Sequence, residues 1–182
     1  MARDSEEFTM IFNEVYTNLC RFLECLMGER GAAQEIAQES FLRLYRAGSG
    51  GPPAREARFW LYRVARNLAL NELKKRETRN KFFGKVVEAF RPDAPGPEEG
   101  IEREERKSIL MKMLKSLPEH QRTALLLREQ EEMSYTEIAR VLKVSESKVK
   151  VDIFRARTRL RAAWNEIERA RAERLKRAQT IL

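Results

Sequence analysis

No stretch of the chain approaches the roughly 18 uninterrupted apolar residues that a membrane-spanning helix requires. The acidic opening Arg3-Asp4-Ser5-Glu6-Glu7 is also unlike a secretory signal, so a cytoplasmic protein without membrane insertion is expected. Cysteine is limited to Cys20 and Cys25 and histidine to His120. That poverty excludes a disulfide framework and a zinc site of ordinary spacing, so no metal and no cofactor is expected. Paired carboxylates beside a plausible pocket, a nucleophile with a histidine partner and a phosphate-cradling glycine loop are all missing, so the chain is not expected to be an enzyme. Alternating strand patterns and repeats of about 20–50 residues are lacking as well. What remains is an all-α reading.

What is present is charge on an amphipathic scaffold. The 182 residues suit one domain or two small helical ones, and 42% hydrophobic with 35% charged residues is the balance of a folded chain. A formal net charge of +8 fits a protein that visits a polyanion. Charge alone would equally fit a membrane surface or a ribosomal partner.

Phe8, Phe12, Val15, Leu19, Phe22 and Leu26 recur in steps of four and three, one buried stripe of a first helix that Gly28 and Gly31 end. A second helix is predicted over 32–46, with Ile36, Ala37, Phe41 and Leu44 inward, stopping before Gly48-Ser49-Gly50-Gly51-Pro52-Pro53. A third, over 57–79, carries Trp60, Val64, Leu68 and Leu73 on one side and a basic, amide-rich surface elsewhere. Composition then shifts: Arg91-Pro92-Asp93-Ala94-Pro95-Gly96-Pro97 and the acids after it read as a linker. The apolar piece Phe82, Phe83, Val86, Val87 and Phe90 is expected to dock as a short helix. Beyond the linker Ile109, Leu110, Met113 and Leu114 mark another helix, and Pro118 opens the next.

The richest stretch is MSYTEIARVLKVSESKVKVDIFRARTRLR (133–161), a helix-turn-helix. Ser134 with Glu137 three residues later forms a capping box that starts a helix at Tyr135. Ile138, Ala139 and Leu142 supply its buried side, Lys143-Val144 the turn, and Ser145 the cap of the second helix. There Val149, Ile153, Ala156 and Leu160 share one face, leaving Ser147, Val151, Phe154, Arg155 and Thr158 on the other. Two apolar residues beside a cation suit a major groove: Val151 and Phe154 can meet thymine methyls while Arg155 reads a guanine edge or binds phosphate. Lys148, Lys150, Arg157, Arg159 and Arg161 suit backbone phosphates.

Two segments together resemble the sigma factors of bacterial RNA polymerase, of the extracytoplasmic-function type. EIAQESFLRLYR (35–46) with FWLYRVARNLALNELKKR (59–76) is similar to that family's second region, and residues 116–161 to its fourth. The resemblance implies a two-domain transcription initiation factor: a three-helix region 2 unit over 1–80, a linker over 81–107, and a region 4 unit over 108–182 with a helical extension. It implies that Glu35, Gln38, Glu39 and Arg43 face the clamp helices of the polymerase's largest subunit, and that the flap and promoter DNA are further partners. It implies that Arg63, Arg66, Asn67, Asn71 and Lys74 bind the minus-ten element, with Asn67 at the base-reading position. A carboxamide there can pair with the edge of an extruded base, and neighbouring arginines can hold the strand. Ser147, Lys148, Lys150, Val151, Phe154, Arg155 and Arg157 would bind the minus-thirty-five element. An anti-sigma factor is an expected partner, and the acidic linker resembles the family's connector.

Three positions depart from the family's pattern. Lys143 replaces the usual turn glycine, so a less tight turn or another backbone form is expected. Asp152 stands where a basic residue is common and Val151 where a small polar one is, both expected to alter groove-facing chemistry. Two other readings fit parts of the chain. A dimeric helix-turn-helix repressor would bind a palindromic operator without polymerase, and an adaptor would bind polymerase without opening DNA.

Overall fold

The apolar spacing of the N-terminal part becomes three helices, and the turns between them set how those helices stack. The computed structural model describes residues 5–83 and 99–180. Among the described residues there are seven α-helices, one 3-10 turn at Gly48–Gly50 and no strand: α1 (Ser5–Met27), α2 (Arg30–Ala47), α3 (Ala54–Phe83), α4 (Glu99–Ser116), α5 (Glu119–Glu129), α6 (Tyr135–Leu142) and α7 (Glu146–Thr180).

In α1 the expected stripe is buried at Val15, Leu19, Phe22 and Leu26, joined by Ile11, Leu23 and Met27. Phe12 is a correction. It lies at the surface, stacked on Tyr16 with centroids 4.6 Å apart and edge-on to Phe41 at 5.1 Å, so its ring packs in an aromatic cluster rather than in the core. Gly28, at φ +80°, ends α1 in the left-handed region that favours glycine. The side chain of Lys115, from α4, occupies the space a Cβ would need there.

Helix α3 buries a different stripe from the one expected. Ala57, Leu61, Tyr62, Ala65 and Ala69 are buried, while Trp60, Val64, Leu68 and Leu73 are half-buried. Helix α3 packs against both α1 and α2. Ala57, Ala65 and Ala69 allow that close double approach, Leu61 and Tyr62 fill the space between the helices, and Trp60, Val64, Leu68 and Leu73 are left at the rim. Helix α3 runs on to Phe83 and α4 begins at Glu99; the rest of the apolar 82–90 segment, with its expected docking, lies outside the described residues.

The C-terminal helices are organised by α5. Pro118 precedes its first turn, and the proline carbonyl accepts from the backbone N–H of Gln121 and Arg122, each at 3.0 Å. Every residue from Gln121 to Leu127 is buried. A helix enclosed all round needs partners on several sides, and α5 has them: α6 and α7 on one hand and α1 on the other. Helix α3 also meets α6, and α1 meets α4, so the buried apolar side chains of both halves form one continuous cluster.

Candidate nucleic-acid interfaces

The recognition helix is built locally. The Ser134 hydroxyl accepts from the Glu137 N–H at 3.2 Å, and the Glu137 carboxylate accepts from the Ser134 N–H at 2.7 Å, completing the predicted capping box. These bonds hold the Glu137 carboxyl below its ordinary range. Lys143 then takes the left-handed conformation, φ 56° and ψ 47°. The turn therefore keeps a glycine-like backbone with a lysine in it, rather than a looser form. Ser145 accepts from the Lys148 N–H at 3.3 Å and caps α7.

From that start, Val149, Ile153 and Ala156 are buried and Leu160 half-buried, as the 3.6-residue period requires. Ser147, Lys148, Lys150, Val151, Phe154, Arg155 and Arg157 are all exposed, Phe154 at 70%. Phe154 and Arg155 line a shallow depression with Thr158 and Arg159. Asp152 corrects the groove-facing expectation. Its side chain is 4% exposed, accepts from Lys148 Nζ at 2.9 Å and lies 3.5 Å from His120 Nε2, so it ties α7 to α5 from inside. Arg157 is paired with Glu129, Nε to Oε1 at 3.1 Å, and Lys150 lies over the Tyr135 ring, 5.6 Å from its centroid. Arg155 makes no ion pair among the described residues.

The second surface lies on α2 and α3. Asn67, Asn71 and Lys74 are exposed in steps of four and three on one face of α3; Arg63 and Arg66 are half-buried beside them. On α2, Glu35, Gln38 and Arg43 are exposed and Glu39 half-buried; Arg43 Nε donates to Glu39 at 2.8 Å, and Gln38 is hydrogen-bonded to Tyr16, whose phenol burial pushes above its ordinary pKa. Part of each predicted cluster lines one open groove of about 600 Å³, with Glu35, Glu39 and Arg43 from α2 and Asn71 and Lys74 from α3, whereas Gln38, Arg63, Arg66 and Asn67 lie outside it. Arg76 also lines the groove. It is paired with Glu29 and with Glu72, and the Glu29 bond raises its pKa.

Sequence reasoning missed the residues that join the two halves. The Tyr62 hydroxyl donates to Glu131 Oε2, and Arg58 Nη2 donates to the Glu131 carbonyl at 2.8 Å. Burial first, and the Glu131 charge second, push the Tyr62 phenol far above its ordinary pKa. Arg66 donates through both Nε and Nη2 to Glu119, at 2.9 and 3.0 Å. Arg140 pairs with Glu56 at 3.1 Å and lies over Phe59. The available signal was Leu125-Leu126-Leu127: three successive leucines cover more than one face and so announce a helix enclosed all round.

Comparison with known proteins agrees with this arrangement. Sigma-70 region 2 matches residues 11–79, and sigma-70 region 4 matches residues 107–160. The chain is 37% identical over 133 residues to the RNA polymerase sigma-H factor of Pseudomonas aeruginosa, covering 69% of each chain. It is 34% identical over 135 residues to the ECF RNA polymerase sigma-E factor of Salmonella typhimurium, covering 70% of this chain and 71% of that one. In fold it is similar to the sigma factor RpoE of Bartonella quintana, solved with the anti-sigma factor NepR, with TM-score 0.72 at 20% identity over 88% of this chain and 98% of that one. With two matched regions in the order and positions that the helices occupy, the chain belongs to the sigma-70 family of RNA polymerase sigma factors, in its extracytoplasmic-function group, and is a transcription initiation factor.

Proposed function

We propose a division of labour in which the chain contributes positioning and strand capture and no catalysis of its own, and works in the cytoplasm. The unit over 1–80 holds core polymerase through Glu35, Gln38, Glu39 and Arg43 on α2, and takes the minus-ten strand along α3. Asn67 pairs with an extruded base, Asn71 and Lys74 extend that face, and Arg63 and Arg66 hold phosphates. The unit over 108–182, reached through the linker over 81–107, lays α7 in the major groove of the minus-thirty-five element. Val151 and Phe154 meet thymine methyls there, Arg155 reads a base edge or a phosphate, and Ser147, Lys148, Lys150 and Arg157 fix the register on the backbone.

The observation that carries this reading is the outer face of α7. A phenylalanine 70% exposed beside an unpaired arginine, on a helix whose opposite face is buried at Val149, Ile153 and Ala156, has no use in a closed fold. The test is transcription with purified core polymerase on a promoter library. Specific run-off products are expected, and their absence from the whole library would defeat the reading. Asn67→Ala should leave polymerase binding unchanged and lower promoter opening by about tenfold, ~1.4 kcal/mol, read by permanganate footprinting. If opening is unaffected, Asn67 does not read a base.

A further inference from the structure

One carboxylate of the recognition helix is held by two side chains of different kinds. Asp152 is buried in α7, and each of its oxygens faces its own partner. Lys148 Nζ donates to Oδ2 at 2.9 Å, and His120 Nε2, from the first turn of α5, lies 3.5 Å from Oδ1. The acid is almost wholly enclosed, whereas the Lys148 and His120 side chains are 49% and 46% exposed. The anchor is inside, and both of its partners reach solvent. His120 is the sole histidine of the chain and belongs to neither of the DNA surfaces assigned above.

Local helix preferences oppose this arrangement. Lys148 is the third residue of α7, where the helix dipole disfavours a cation. In pairs four residues apart the order with the acid first is the favourable one, and here the lysine comes first. Burial of Asp152 is what maintains the pair, because its charge would be stranded without a cation. The same burial sets the cost of using Lys148 elsewhere: moving its ammonium to a DNA phosphate leaves an enclosed carboxylate facing a neutral ring. A protonated His120 removes that cost, since Oδ1 keeps a charged partner when Oδ2 loses one. Histidine is the side chain that makes such a change between about pH 5 and 8. Other charges leave the exchange to these three groups. Glu119, beside His120 on α5, is engaged by Arg66 of α3. Helices α1 and α6, which also pack on α5, bring no ion-pairing group to His120 among the described residues.

We propose that His120 and Asp152 are positioning residues that couple proton uptake to DNA binding: with the imidazole neutral Lys148 is retained by Asp152, and with it protonated Lys148 is released to a backbone phosphate of the minus-thirty-five element. One proton turns a neutral trio into a cationic one. The inference rests on the assignment of α7 to the minus-thirty-five groove. It also gives a use to the acid at a position where the family commonly has a base: Asp152 withholds, at neutral and alkaline pH, a cation that would otherwise be offered at every pH.

The experiment uses holoenzyme reconstituted from the full chain and core polymerase, with a fluorescent duplex carrying a minus-thirty-five element selected by transcription. Dissociation constants are read by anisotropy over a salt series between about pH 5.5 and 8, and each variant is compared with wild type at the same pH so that the polymerase's own titration cancels. Relative to His120→Gln, wild type is expected to gain about fivefold in affinity from the alkaline to the acid end, with a salt slope steeper there by about 0.9, one phosphate contact. Lys148→Ala should erase that gain. Asp152→Asn, which frees the lysine without a proton, should bind more tightly than wild type at the alkaline end; His120→Gln keeps the test open if this variant does not fold. A ratio between wild type and His120→Gln that is constant with pH would overturn the proposal, and so would a gain that survives in Lys148→Ala. Phe154→Ala separates the two readings. If it weakens duplex binding while His120→Gln follows wild type, only the proton coupling is lost; if neither Phe154→Ala nor Lys148→Ala changes binding, the assignment of α7 falls and the coupling with it.

Discussion

The two halves of the chain solve the problem of a small core differently. The N-terminal bundle buries apolar side chains in three crossing helices, and its one buried polar residue among those described, Ser40, is satisfied by the Ile36 carbonyl at 2.7 Å. The C-terminal half buries Gln121, Arg122, Thr123, Glu131 and Asp152. A buried polar group contributes little net stability and is expensive when it loses its partner. Packing therefore stabilises both halves, and the second carries in addition buried polar groups whose pairing has to be kept.

The contrast is sharpened first by Leu127→Ala. Leu127 is fully buried in α5, and its truncation should cost about 2–5 kcal/mol in urea unfolding. Because α5 also packs on α1, both halves should lose protection in hydrogen exchange; loss confined to the C-terminal half would break the idea of a shared wall. Phe154→Ala should act in the opposite manner. The change removes an exposed ring, so stability should shift by no more than about 0.5 kcal/mol, while duplex binding at the minus-thirty-five element by the holoenzyme falls about tenfold, ~1.4 kcal/mol. A large loss of stability would mean the ring is structural.

Smaller effects probe the local devices. Ser134→Ala should cost about 1 kcal/mol of helix stability by removing the cap of α6. Since Glu137 is depressed in the folded state, the capping box contributes above the ordinary carboxylate range and its contribution is lost as pH falls through the folded pKa. Wild type and Ser134→Ala should therefore both lose stability in acid, the gap between them narrowing only by the hydroxyl-to-carboxylate bond; a gap that closes completely would deny the hydroxyl its own bond to the Glu137 N–H. Lys143→Gly, at a left-handed residue, should gain about 0.5–1 kcal/mol, seen as a higher midpoint in thermal unfolding. A lower midpoint would show that the lysine side chain compensates its backbone.

What the sequence disclosed follows the same division. Capping and the period and exposed face of α7 depend on residues within a few positions of one another, and each was legible, whereas α6 buries Ile138 and Val141 and leaves the expected Ala139 and Leu142 half-buried. Asn67, Asn71 and Lys74 were singled out by the resemblance rather than by local spacing, and all three are exposed in the structure. The inward stripe of α3 was not legible, because helical period fixes which residues share a face but not which face wins, and packing against two helices favoured the face of Ala57, Leu61, Tyr62, Ala65 and Ala69 over that of Trp60 and Val64. The Tyr62–Glu131 and Arg66–Glu119 pairs join residues far apart in the chain, and Glu131, within an acidic run, carries no local mark of burial. Asp152 deceived for a related reason. A carboxylate on a basic helix suggests solvent, yet the histidine and lysine that hold it inward are visible only in three dimensions.

Helix α7 continues without interruption for 35 residues, well past the matched region that ends at residue 160. At 1.5 Å per residue it is a rod about 52 Å long. Its far end is thus a pointer fixed to the reader: each 10° of reorientation about the middle of the outer face displaces the tip by about 7 Å. A spectroscopic label near the chain terminus would register docking into a groove as a motion several times larger than the one at the bases, from a vantage that touches no DNA.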